Sequence, residues 1–159
     1  MADATRPVAI HAAEVPPRAR ATGYPADLAT RVAGRDKRPL GDLFGLTVFG
    51  VNLTRLAPGA WSALHHRHGK QDEFIYVVEG APTLVTDAGE TQLAPGMCAG
   101  FVAGGSPHHV ENRSGADAVI LEVGDRGAGD SVVYPDDDLA AAMGPDGKWR
   151  YTRKDGTPL

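Results

Sequence analysis

The stretch "HHRHGKQDEFIYVVEG", residues 65–80, joins two patterns that decide how this chain folds. Its second half, Glu73 to Gly80, is β-branched and aromatic and ends on glycine, which reads as a strand. Its first half places three histidines within four positions and an Asp-Glu pair after a short polar turn. In a strand, residues i and i+2 share a face. His66 and His68 therefore share one with Leu64, and His65 shares the other with Arg67. Two long polar side chains on one face predict solvent for His65. His66 and His68 then point inward, close enough to chelate one ion. In "DEFIYVVEG" the phase resets: Asp72, Phe74, Tyr76 and Val78 lie on one face and Glu73, Ile75 and Val77 on the other. Both faces are apolar, so alternation alone does not choose between Asp72 and Glu73.

Outward from this stretch the texture stays β. "LTVFGVNLTRL" from Leu46 alternates, and Pro58-Gly59 then forms a turn. A hairpin in "TLVTDAGETQL" turns at Ala88-Gly89. Further strands are expected at 97–102, 108–112 and 118–123. In "PHHVEN", His108 shares its face with Val110 and His109 with Glu111, which predicts His108 inside and His109 towards solvent. Short strands at regular spacing, cut by 20 glycines and 12 prolines, indicate a sandwich or barrel. Residues 1–39 read as an N-terminal arm, 40–134 as the barrel and 135–159 as an extension. The arm is interrupted by Pro16, Pro17 and Pro25, with a short helix over 26–34 ending at Gly34. Val8, Ile10, Val15 and Tyr24 give it apolar surface to bury. "YPDDDLAAAMG" predicts a short helix, with an aspartate cap and Gly144 as stop.

The 159 residues fit one domain, and 42% apolar with 23% charged is a globular balance. Net charge is -4 with no basic block, which argues against nucleic acid as a partner. There is no apolar signal segment and no run of 18 apolar residues, so no membrane partner is expected and the cytoplasm is the expected location. A single cysteine, Cys98, excludes a disulfide within the chain and reads as a small buried apolar residue.

Two inward histidines, an adjacent acid and a third inward histidine on another strand suit a shared metal, since a buried unpartnered imidazole is costly. These residues resemble the two cupin motifs. Gly59, His66-Arg67-His68, Glu73 and Gly80 follow the first, with one extra residue between Gly59 and His66. Gly96, Val102-Ala103-Gly104, His108 and Asn112 follow the second, with Val102 where proline is usual and one extra residue before His108. The similarity spans residues 46–124. The wider pattern looks like a bacterial group of small single-domain cupins. The resemblance implies an all-β cupin jelly-roll (double-stranded β-helix) barrel, with the metal on His66, His68, Glu73 and His108, and so selects Glu73 over Asp72. It also implies a homodimer in which the N-terminal arm packs or exchanges.

Three imidazoles and a carboxylate suit divalent Fe, Mn, Ni, Co or Zn and leave two positions of an octahedral ion open. Arg55, Gln71, Tyr76, Asp72, Asn52 and Thr54 are the polar candidates near a pocket. One phase of "VNLTRL" turns Asn52 and Thr54 inward, the other Arg55. An inward Arg55 would imply a carboxylate or phosphate substrate. Tyr76 reads as core rather than catalytic. The expected function is a metal-dependent isomerase, epimerase or lyase acting on a small oxygen-rich molecule such as a sugar, sugar phosphate or keto acid. The alternatives are an Fe(II) dioxygenase and a non-catalytic sensor of a small molecule or metal.

Overall fold

A computed structural model describes residues 6–20 and 22–159. Twelve short strands dominate: β1 (Arg35–Pro39), β2 (Phe49–Leu56), β3 (Arg67–His68), β4 (Glu73–Glu79), β5 (Thr83–Thr86), β6 (Gly89–Gln92), β7 (Cys98–Phe101), β8 (His108–Glu111), β9 (Ala118–Asp125), β10 (Ser131–Tyr134), β11 (Leu139–Met143) and β12 (Trp149–Thr152). One sheet runs β1-β2-β9-β4-β7, and the opposing layer is β12-β11-β10-β3 followed by β8-β5-β6. The two parts of this second layer meet where residues 59–66, leading into β3, run along β8; there Trp61 bridges Glu111, and His66 and His108 exchange backbone hydrogen bonds of 3.2 and 2.8 Å. This is the jelly-roll barrel that the sequence predicts.

Alternation fixes what faces the interior. In the first sheet, Lys37 lies opposite Thr54, Asn52 opposite Glu122 and Glu122 opposite Ile75. These residues share the inner face, together with Leu56, Val77 and Ile120 of the apolar core. A second apolar cluster joins Leu64, Val132, Tyr134 and Leu139. Leu64 lies two residues before His66, and Val110 of the first cluster two residues after His108. The polar site is thus embedded between two patches of core. The outer face of the first sheet leaves Phe74, Tyr76 and Val78 exposed. Gly80 ends β4 at a φ of +82°, and a Cβ there would lie 2.7 Å from Ala118 Cα. Only glycine satisfies both conditions.

Four expectations are corrected. The stretch read as a C-terminal helix is a turn followed by β11, whose Leu139 and Ala141 are buried in alternation. Pairing on both sides, with β10 and β12, outweighs the helix propensity of its alanines. Cys98 is exposed rather than buried, because it lies opposite Tyr76 on the outer face. Residues 35–39, assigned to the arm, form an edge strand of the first sheet. The rest of the described arm is anchored to the same chain at a few points. Val15 is buried, Tyr24 packs against the second cluster, and the helix Ala26–Ala29 leads to Gly34 at positive φ as expected. Val8 and Ile10, expected to be buried, are exposed. No described helix is long and apolar enough to cross a membrane.

Candidate metal centre

The bridge between His66 and His108 sets their rings on the same inner face, 4.9 Å apart. His68 follows on β3, opposite Val132. Glu73, the first residue of β4, reaches across from the other sheet. Its Oε2 lies 3.4 Å from His66 Nε2 and 3.1 Å from His108 Nε2, and its Oε1 lies 3.6 Å from His68 Nε2. Ligand atoms of His66, His68 and Glu73 lie within 4.8 Å of one another, a group able to hold a metal ion. The structure therefore puts Glu73 inside, where alternation could not decide. Asp72 is exposed, and its carboxylate accepts the Ala103 N–H instead.

The outer nitrogen of each ring is already committed. His66 Nδ1 donates to Leu64 O at 2.8 Å, His68 Nδ1 to the Asp130 carboxylate at 2.5 Å, and His108 Nδ1 to Ser106 O at 3.3 Å. A neutral imidazole carries one N–H, so each Nε2 presents a lone pair to Glu73. Consistently, Glu73 Oε2 is buried without a hydrogen-bond donor. Bare nitrogens against a carboxylate repel unless a cation sits among them. The donor set fits a divalent metal of the Fe-to-Zn series. Burial alone would raise the Glu73 carboxyl; with protons on the Nε2 atoms in place of an ion, hydrogen bonds from His108 and His66 and the charge of His66 and His68 hold it well below the usual carboxylate range. Glu73 is thus ionised, the form a metal ligand requires.

Asp130 was not found by sequence reasoning. It is 1% exposed, and its other oxygen accepts the Lys70 N–H at 2.7 Å. A carboxylate behind a histidine fixes the ring's orientation and tautomer and raises its basicity. Asp130 precedes β10, a strand the sequence reading did not foresee, and no local signal marks it.

His65 and His109 face away from this centre, but they do not reach solvent as expected. They are 5% and 4% exposed. Their Nδ1 atoms lie 3.0 Å apart, His65 Nε2 meets Asp87 at 2.8 Å, and His109 Nε2 meets Glu111 at 2.8 Å. Trp61 stacks on the His109 ring at 4.5 Å. Burial pushes His109 down against the opposing pull of Glu111. The prediction failed because polar partners covered by an indole read, in sequence, like a solvated face.

The centre opens into a cavity of about 600 Å³. Gln71 lines it, buried, with its amide donating to Gly127 O. Arg55 does not: it pairs with Asp36 and Asp117 on the outer face. Tyr76, expected in the core or the pocket, is in neither and is 41% exposed. Asn52 and Thr54 take the inward phase instead. Thr54 donates to Glu122 Oε2, and Lys37 Nζ lies 2.9 Å from the same atom. Glu122 shares its face with Ile120 and Ala118, so a charged residue on an apolar strand face was the available signal.

A family model, that of the cupin domain, matches residues 52–124. The chain is similar to the crystal structure of a sugar phosphate isomerase from Silicibacter pomeroyi, at 46% identity over 87% of this chain and 88% of that one, with a TM-score of 0.82. It also resembles a protein from Acidithiobacillus ferrooxidans that carries the same activity as a provisional label, at 26% identity, 86% and 94% coverage and a TM-score of 0.71. A polyketide cyclase from Streptomyces resistomycificus shares the fold, at 22% identity, 74% and 78% coverage and a TM-score of 0.61. None of the curated proteins matches. Identity of that level along nearly the whole length of the Silicibacter protein, which is itself of this superfamily, places the chain in the cupin superfamily.

Proposed function

We propose that the protein is a metal-dependent enzyme of the isomerase, epimerase or lyase type, acting on a small oxygen-rich molecule such as a sugar, sugar phosphate or keto acid. His66, His68, Glu73 and His108 hold the ion. The observation that carries this is the convergence of three Nε2 atoms on the Glu73 carboxylate, two of them on its buried Oε2, which has no donor. The similarity to the Silicibacter sugar phosphate isomerase supports the reaction type. A bound divalent ion polarises a carbonyl and so acidifies the neighbouring C–H.

The chain's own part is proton transfer and exclusion of water. Glu122 is a further carboxylate of the cavity, aimed inward and held by Thr54 and Lys37. It takes the proton from the carbon beside the carbonyl. The C–H electron pair becomes the new C=C bond, and Lys37 supplies a proton to the carbonyl oxygen. Reversal at the neighbouring carbon completes an isomerisation with no net oxidant or reductant. Tyr24 and Tyr134 close the wall beside the histidines. Burial pushes the Tyr24 hydroxyl up to about 12, so it stays protonated.

The test is the metal content of the purified protein, followed by a panel of aldose and ketose phosphates and keto acids in deuterated water. The expected result is one divalent ion per chain and deuterium at a carbon next to a carbonyl, lost in Glu122→Gln with the ion retained. Oxygen uptake by an Fe(II)-loaded sample, without such exchange, would replace this reading with a dioxygenase.

A further inference from the structure

Five cations line the cavity: Arg18, Arg20, Arg35, Lys37 and Arg126. Only three carboxylates line it, those of Glu73, Glu122 and Asp125. This is the reverse of the chain as a whole, which carries a net charge of -4. The five cations divide by position. Lys37 is paired with Glu122 on the inner wall. Arg35 is buried, bonded to Ser62 O and set over the Tyr24 ring at 5.8 Å. Arg18, Arg20 and Arg126 are exposed and stand at the mouth, while His66 and His108 at the base are buried.

The mouth arginines are poorly neutralised. Asp42 serves two of them, lying 3.5 Å from Arg18 and closer to Arg126. Arg20 has no ion pair or side-chain hydrogen bond among the described residues. Asp125 spends its oxygens on the backbone N–H groups of Asp72 and Gly127 at 2.8 Å. Arg18 is nonetheless held in place. Its N–H donates to Lys37 O at 2.8 Å, and its guanidinium reaches Asn52 Oδ1 at 3.3 Å, an atom of the inner face. Val15, three residues earlier, is buried and accepts from Arg38 at 2.5 Å, which pins the arm along β1. Like-charged guanidinium groups gathered around one opening are left to repel one another unless an anion joins them.

We propose that these arginines form an anion subsite, in which Arg18 and Arg20 of the N-terminal arm, with Arg126 opposite, grip a phosphoryl group of the molecule bound in the cavity. Guanidinium forks match phosphate oxygens with paired N–H donors, and a dianion accommodates more of them than a carboxylate does. The inference rests on reading the cavity as the substrate site, and it adds that the substrate is a phosphate ester held with its phosphoryl end at the mouth and its carbon skeleton towards the metal centre. It also assigns the arm a role in recognition.

The test is calorimetric titration of the full, metal-loaded chain with inorganic phosphate, and separately with acetate. Phosphate is expected to bind, and acetate at least tenfold more weakly. Arg18→Ala and Arg20→Ala should each weaken phosphate about tenfold and together about a hundredfold, with metal content and melting temperature unchanged. Arg20→Lys should recover part of the loss, and Arg113→Ala, which breaks a pair on the far face, should change nothing. Phosphate binding that survives the double substitution, or that disappears only when the metal is chelated, places the anion on the ion and overturns the subsite. Acetate binding as tightly as phosphate overturns the phosphoryl assignment. A chain that retains metal and binds phosphate through Arg18 and Arg20, yet exchanges no proton in any sugar phosphate, leaves the subsite standing and removes the isomerase reading alone.

Discussion

Two pairs of histidines sit back to back in the second layer, one residue apart in sequence. His66 and His108 face the interior, and His65 and His109 face the other way. Both pairs are buried to nearly the same degree, and both bring their rings to about 5 Å, 4.9 Å inside and 5.2 Å outside. They differ in which nitrogen is spent. In the outer pair each Nε2 meets a carboxylate and the two Nδ1 atoms meet each other, so the polar chain closes on itself. In the inner pair each Nδ1 is spent on a backbone carbonyl, and each Nε2 is left aimed at Glu73. Residue type and burial therefore do not distinguish a structural histidine from a metal ligand. The direction of the spare lone pair does.

The sharpest way to break this comparison is to truncate each ring in turn. His66→Ala or His108→Ala should lower metal affinity by more than about a hundredfold, above the effect of losing an outer partner. His65→Ala and His109→Ala should keep one ion per chain. Equal loss in all four, measured by elemental analysis after dialysis, would erase the distinction. Asp130→Asn comes next: it keeps the shape and removes the charge behind His68. Affinity should fall about 10- to 100-fold, while a saturated sample still reaches full occupancy.

The outer pair should show itself in stability instead. His109→Ala leaves the Glu111 oxygen without its imidazole and the Trp61 ring without its stacking partner. A loss of about 1–3 kcal/mol is expected by chemical denaturation of the metal-free chain. The smallest effect concerns acid. Burial would raise the Glu111 carboxyl, but Arg113 and His109 hold it below its ordinary value. A carboxylate depressed in the folded state adds stability above its unfolded pKa of about 4.3, and that stability is lost as pH falls through the folded value. Glu111→Gln should remove this part of the acid limb from a stability–pH curve and leave the neutral region flat.

Much of the inner site was legible because strand alternation is strict. It separated His66 and His68 from His65, and His108 from His109, without any knowledge of neighbours. It could not separate Asp72 from Glu73, because β4 is apolar on both faces, and motif spacing supplied that choice. It failed on the surroundings of the outer histidines. Their partners Asp87 and Glu111 and their cover, Trp61, come from segments whose meeting no local pattern records. The same reason hid Asp130. The C-terminal hairpin was lost differently: "DDDLAAAM" satisfies the rules for a helix, and only pairing with β10 and β12 makes it a strand. Glu122 and Lys37 were recoverable in principle, as charges on faces that otherwise carry core residues.

The bridge between His66 and His108 has a mechanical meaning. The second layer is not one regular ladder: the run 59–66 that leads into β3 holds the β8 segment through separate backbone hydrogen bonds at Gly59, Ala60, Ser62 and His66, and the His66–His108 pair is the last before β3 turns to β10. An ion gripping both rings would rivet the two halves where the pairing partner changes from β8 to β10. It would shorten the loop open to the unfolded chain much as a covalent cross-link does. Losing the metal then costs more than chemistry: the barrel would begin to open along this line, and amide exchange should quicken first on either side of it.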